Sequence, residues 1–108
     1  MPKIELATIP PKMLIDGYLA RFIHTENMTF SFVDVQEGKS LPEHSHTNEQ
    51  VSIMLEGEFE LTLEGEPILF GPGSVIVIPS NAKHSGMAIT DCKLLDVFYP
   101  VREDYRAK

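Results

Sequence analysis

The clearest pattern along the chain is an alternation: Phe59, Leu61 and Leu63 fall between Glu58, Glu60, Thr62 and Glu64. Successive side chains of an extended chain point to opposite faces, so this segment reads as a strand with one face in a core and one in water. Helical periodicity is scarce. Prolines at 2, 10, 11, 42, 67, 72, 79 and 100 interrupt most windows long enough for a helix. The intervening segments are short and rich in Val, Ile, Phe and Tyr, and they predict strands near 18–24, 28–35, 49–56, 58–64, 67–70, 74–78, 84–89 and 93–99. Many short strands separated by turn residues predict an all-β sandwich or barrel. The best hairpin candidate is Glu49–Glu64, turning at Glu56-Gly57. Its first arm is less regular, because Val51, Ile53 and Leu55 share one face while Met54 joins Gln50 and Ser52 on the other. Both faces are therefore expected to be covered, one lining a cavity or core and the other meeting a second sheet or a second subunit. Residues 1–17 read as a proline-rich lead-in and 102–108 as a charged tail.

Composition narrows the function classes. The 108 residues suffice for a single domain. Lys and Arg number 9 against 16 Asp and Glu, giving a net charge of -7 with no basic run, which argues against a nucleic-acid partner. No apolar run approaches the ~20 residues of a membrane helix. The opening Met1-Pro2-Lys3-Ile4-Glu5-Leu6 lacks the apolar core of a signal peptide. The single Cys92 can form no internal disulfide, and the expected address is the cytoplasm.

Chemistry concentrates on the histidines. His44 and His46 stand two apart, so in extended chain they point to one side, and Gln50 shares their parity. A strand running from 44 through 50 would put all three on one face, with Glu49 pointing away. Two converging imidazoles are a common start for a metal site, although His-x-His alone is a weak signal, more often a chance or structural pair than a ligand pair. A second candidate cluster closes the last strand, where Asp96 and Phe98 share a face, Pro100 bends the chain, and Arg102 can fold back. An Asp among Leu94, Leu95, Val97 and Phe98 suits acid/base work if it is buried near a metal, and Arg102 could clamp a substrate carboxylate in bidentate fashion. The alternative is an Asp96–Arg102 ion pair that closes the rim. His24 reads as a packing or surface residue, Lys83 as solvated, and Cys92 as unreactive.

Gly38, His44, His46, Gln50 and Gly57, followed by Gly73, Pro79, Asn81, His84 and Ala88, resemble the two motifs of the cupin superfamily in residue type and spacing. Three positions depart from those motifs. Gln50 stands where the family usually has Glu, Asn81 replaces a Gly, and Ala88 replaces an Asn that is not usually a ligand. The resemblance implies a small jelly-roll barrel, a single cupin domain over 1–108, with one divalent transition metal (Zn, Ni, Fe, Mn or Co) held by His44, His46, Gln50 and His84. Two other readings of this site are a decayed, empty centre, or Glu49 ligating through a β-bulge. The three-His, one-Gln set and the tail Asp96, Phe98 and Arg102 together resemble a group of small cupins of pectin and alginate degradation, which ketonise unsaturated uronate monosaccharides to linear keto forms. That likeness implies an enzyme of sugar acids, with Asp96 and Arg102 catalytic and Phe98 and Arg102 at the substrate. A metal-dependent dioxygenase and a non-catalytic small-molecule-binding cupin are the alternatives. Apolar residues on both faces of Val51–Leu55 lead to the expectation of a homodimer.

Overall fold

The structure, a computed structural model, describes residues 3–107; residues 1–2 and 108, the extremes of the expected lead-in and tail, lie outside it. Among the described residues there are ten strands: β1 Lys12–Ile15, β2 Tyr18–His24, β3 Thr29–Val35, β4 Ser40–His44, β5 Glu49–Glu56, β6 Phe59–Leu63, β7 Glu66–Phe70, β8 Val75–Ile78, β9 His84–Ala88 and β10 Cys92–Tyr99. They form a six-stranded sheet, ordered β1-β2-β3-β10-β5-β8, and a four-stranded sheet, ordered β4-β9-β6-β7. All pairings are antiparallel, and the buried apolar residues of the two sheets form one core cluster. The eight strands expected from the pattern are all present, each within one residue at either end.

Two strands escape the pattern. The lead-in carries a 3-10 turn at Leu6–Thr8 and then β1, an edge strand paired with β2 through Lys12 and Ala20. β4 contains Pro42, which cannot donate to a ladder; it is tolerated because β4 lies at a sheet edge and pairs only with β9. The expected charged tail is also structured, with α1 at Glu103–Arg106 and a buried Arg102.

The hairpin expected at Glu49–Glu64 is not formed. β5 pairs with β10 and β8, while β6 pairs with β9 and β7, so the chain changes sheets at Gly57. Gly57 has φ 89°, and a Cβ there would run into the carbonyl oxygen of Asp91. In sequence, a tight connection looks the same whether the two strands bond to each other or part. The alternation itself holds, with Phe59 and Leu61 buried, and on β5 the inward face is Gln50, Ser52 and Met54.

Registers show how the interior is graded. At one end the six-stranded sheet turns inward the apolar rungs Tyr18–Val35–Cys92 and Ala20–Val33–Leu94–Met54. At the other end the inward rungs turn polar, as Phe22–Ser31–Asp96–Ser52–Ile76 and then His24–Thr29–Phe98–Gln50–Ile78. The facing sheet follows suit: Phe70–Phe59–Ala88 and Ile68–Leu61–Gly86–Leu41 precede a last rung of Leu63, His84 and His44. The barrel is thus a cup with an apolar floor and a polar mouth.

The outer faces differ as well. Outward residues of the six-stranded sheet form two nearly all-apolar rows, Ile23–Phe30–Val97–Val51–Val77 and Arg21–Phe32–Leu95–Ile53–Val75, with Val75 and Val77 more than half exposed. A cleft of about 530 Å³ lies at the floor end beside Met13, Asp16, Leu19 and Glu56, with no histidine in its lining. No helix among the described residues is long and apolar enough to cross a membrane.

Candidate metal centre

The strand imagined from 44 through 50 is instead a crossing between sheets. β4 ends at His44, β5 begins at Glu49, and residues 45–48 connect the two. Convergence comes from elsewhere: His44 lies opposite His84 in the β4–β9 ladder, His46 projects from the connection, and Gln50 comes from the facing sheet. One nitrogen of each imidazole lies within 4.8 Å of the others. His84 is 2% exposed and Gln50 7%, whereas Glu49 is exposed, so the alternative with Glu49 as ligand is not what the backbone presents. Asn81, in its Gly position, adopts φ 65°, the left-handed conformation that Asn tolerates.

Each imidazole is held the same way. Nδ1–H of His44 donates to the carbonyl of Pro42 at 2.9 Å, that of His46 to Asn48 at 3.0 Å, and that of His84 to Ala82 at 2.9 Å. A carbonyl only accepts, so each neutral ring carries its proton on Nδ1 and turns a bare Nε2 inward. Gln50 adds its amide oxygen, 3.1 Å from Nε2 of His46. His84 Nε2 is buried with no hydrogen-bond partner. Protonating two of the three rings is opposed: burial first, and the neighbouring charges second, bring the pKa of His84 down to about 4, and burial followed by the Arg102 charge lowers that of His46. Four acceptors facing one point, in a setting that resists protons, fit a divalent cation, and the three imidazoles could hold one.

The second cluster surrounds the same space. Asp96 and Phe98 face inward from β10, and together with Arg102 they line a cavity of about 70 Å³ that also touches His44, Gln50 and His84. It adjoins a cleft of about 290 Å³ beside Leu14, Leu41, Pro42 and Tyr105. Together the two reach the ~300–1,000 Å³ of ordinary ligand pockets. Asp96 Oδ1 accepts a 2.6 Å bond from Ser52 Oγ, and Ser52 in turn accepts from Gln50 Nε2 at 2.9 Å. Burial pushes the Asp96 carboxyl above the usual carboxylate range, against the pull of its bonds to Ser52 and Gln50.

Arg102 departs from expectation. The alternative of an ion pair with Asp96 is not realised, because Arg102 pairs with Asp104, through Nε at 2.9 Å and Nη2 at 2.7 Å. Its fork is therefore occupied, and the bidentate carboxylate clamp is not available as it stands. What remains is Nη1, buried and unpartnered, on a guanidinium stacked 3.9 Å over Tyr105 and 4.9 Å over Phe98. Tyr105, Asp104, Asn48 and Thr29 were not legible as site residues. Asn48 ties the 45–48 connection to the tail through the Pro100 carbonyl at 2.6 Å, and Thr29 Oγ1 accepts the Arg102 backbone N–H at 2.9 Å. One signal was present: Thr29, Ser31 and Ser52 are polar residues at the inward parity of otherwise apolar strands. Among the weaker candidates, His24 bonds Thr29 and stacks on Phe22, Lys83 is exposed, and burial pushes the Cys92 thiol up.

The His84 shift gives stability a direction with pH. The unfolded residue takes up a proton below its ordinary 6.5 and the folded one only near 4, so the stability in question is present above 6.5 and lost as pH falls. In chelator, denaturant titrations from pH 7 to pH 5 should lower wild-type stability by up to about 2 kcal/mol more than that of His84→Gln. Parallel losses in the two proteins would contradict this.

The structure is similar to that of KdgF from a Halomonas species, which is 28% identical with a TM-score of 0.83 over 88% of this chain and 89% of that one. It is also similar to an RmlC-like cupin from Shewanella frigidimarina, 23% identical with a TM-score of 0.87 over 92% and 90%. Oxalate decarboxylase from Bacillus subtilis, a protein with Mn(II) centres, matches at 21% identity and a TM-score of 0.78, over 90% of this chain but 29% of that one. The last two likenesses speak for the fold alone. No curated protein matches the sequence. The family model Cupin_2, described as a cupin domain, matches residues 31–98, a span that holds the three histidines, Gln50, Asp96 and Phe98. With an all-β barrel, both motifs in place and a family match over more than half its length, the chain belongs to the cupin domain family.

Proposed function

We propose that the protein is a metal-dependent isomerase of small sugar acids, ketonising an unsaturated uronate monosaccharide to its linear keto form. The observation that carries this reading is Asp96, a carboxyl raised by burial, set two hydrogen bonds from Gln50 in the wall of the histidine-lined cavity. Its likeness to the uronate-ketonising cupins at His44, His46, Gln50, His84, Asp96, Phe98 and Arg102 supports the substrate class. A divalent ion (Zn, Ni, Fe, Mn or Co) held by His44, His46, Gln50 and His84 would supply a Lewis acid for the substrate's oxygens, undiminished by any ligand carboxylate.

The remaining steps belong to the chain. Ketonisation is an isomerisation: the anomeric hydroxyl loses its proton as the ring C1–O5 bond breaks and C1 becomes a carbonyl, the enol oxygen so released becomes the C5 keto group, and a proton arrives at C4, where the C4–C5 double bond is lost. Asp96 takes the first proton and delivers it to carbon, ending as it began. Arg102 Nη1, whose other nitrogens are fixed by Asp104, donates to the substrate carboxylate. Phe98 and Tyr105 wall the site and keep that guanidinium flat. Asp96→Ala should retain Zn(II) affinity within a few-fold and lower turnover at least ~100-fold, followed by the ultraviolet absorbance of the substrate's conjugated double bond. Wild-type rates in that variant would remove Asp96 from the reaction. Oxygen uptake by the iron-loaded protein would favour a dioxygenase instead, and saturable binding without product would favour a binding module.

We also propose that the protein works as a homodimer, with a second copy seated on the outer face of the six-stranded sheet. Five strands carrying the two apolar rows and their margins span roughly 500 Å². With a rim, that approaches the ~800 Å² per partner of a standard interface. Charge permits it, since the flanking outward residues Asp34, Lys93, Glu56 and Glu49, with Arg21, sum to only -1 although the chain carries -7 overall. Light scattering at micromolar concentration should give twice 12.1 kDa for the wild type and 12.1 kDa for Val51→Lys/Val77→Lys. A wild type that is monomeric under those conditions would refute the pairing.

A further inference from the structure

We infer that Ser52 is a positioning residue that holds the Gln50 amide with its oxygen towards the three imidazoles. A glutamine side chain presents two ends of nearly equal size, one that accepts and one that donates, and only its neighbours decide which way it lies. At Gln50 the neighbours on the two sides differ in kind. On one side lie the bare Nε2 atoms, with that of His46 3.1 Å from Oε1. On the other side is Ser52 Oγ, 2.9 Å from Nε2 of the amide. Left to itself, the amide would turn its NH2 towards the imidazoles. It would then satisfy His46 with a hydrogen bond, and a donor would occupy the place of a ligand oxygen.

Ser52 removes that option because a hydroxyl has one proton to donate. It donates at 2.6 Å to Asp96 Oδ1, so only its lone pairs face Gln50. The near end of Gln50 must then be its NH2, and the far end its oxygen. The polarity runs in one direction along the row: Asp96 accepts from Ser52 and also draws the Gln50 amide, Ser52 accepts from Gln50, and the Gln50 oxygen is left for the cluster. Ser52 is 3% exposed and Gln50 7%, so water does not compete for these bonds. Asp96, Ser52 and Gln50 are placed by adjacent strands in fixed register, Asp96 opposite Ser52 and Phe98 opposite Gln50, so the chain of bonds needs no loop to form. A carboxylate at position 50 would need no such hold, because it offers oxygen at both ends. The Ser52 hydroxyl therefore matters because this chain carries Gln50 where cupins usually carry Glu.

The inference rests on the metal-site reading above but not on the reaction, and calorimetric titration of the metal-free chain with Zn(II) tests it. Ser52→Ala should weaken Zn(II) binding ~10–100-fold, in the range of lost outer-shell partners of metal ligands. Ser52→Thr, which keeps the hydroxyl, should restore it to within a few-fold. In the Gln50→Glu background, Ser52→Ala should change the affinity less than ~3-fold, because no amide remains to be oriented. In 15N-resolved spectra of the metal-free protein, the Gln50 side-chain NH2 signals should shift in Ser52→Ala and return in Ser52→Thr. Equal losses in the wild-type and Gln50→Glu backgrounds, or wild-type affinity in Ser52→Ala, would overturn the inference while leaving the metal site standing. A wild type that binds no Zn(II) would overturn the site reading, and the positioning role with it.

Discussion

Three imidazoles can offer lone pairs to one point only if each has its proton occupied elsewhere. In this chain the backbone does that work: the carbonyls of Pro42, Asn48 and Ala82 each take the Nδ1–H of a histidine two residues away. That local bond sets the tautomer, and at His46 and His84 burial then disfavours a second proton. The result is a cluster that only accepts, walled in protein, with nothing of its own to neutralise it. A group of this kind is costly in an apolar interior unless it serves a cation.

The rest of the architecture makes that cluster tolerable. Both sheets confine polar residues to their last rungs, so the floor packs as an ordinary apolar core, with Phe59, Phe70, Met54 and Leu94, while the mouth carries the chemistry. The tail completes the mouth. Arg102 returns over Phe98, is pinned by Asp104 and Tyr105, and is anchored through its backbone to Thr29. It places a positive charge near His46 and His84, which helps keep those two rings neutral, and leaves one nitrogen unused.

Much of this was legible in the sequence where the signal was local or periodic. The inward parity of Gln50 and Asp96 follows from alternation, and the spacing of His44, His46 and His84 from the two motifs. What was not legible depended on long-range pairing. Nothing local distinguishes Gly57 as a change of sheet from Gly57 as a hairpin turn, because the partners of β5 and β6 lie far along the chain in β10, β8, β9 and β7. β4 was obscured by Pro42, and β1 by Pro10 and Pro11, because proline argues against a strand until an edge position is known. The Asp104 partner of Arg102 was hidden by its setting in a charged run, where ion pairs are ordinarily solvated and weak. Ser52 was visible only as a polar residue of the right parity, and its role required the bond directions.

The most direct test of the account is X-ray absorption spectroscopy of the protein loaded with one equivalent of Zn(II) or Co(II). The predicted spectrum is that of one ion per chain with three imidazole nitrogens and oxygen donors, reduced to two imidazoles in His84→Ala. A spectrum with fewer than three imidazoles in the wild type, or one unchanged by His84→Ala, would contradict the convergent acceptor cluster on which the account is built.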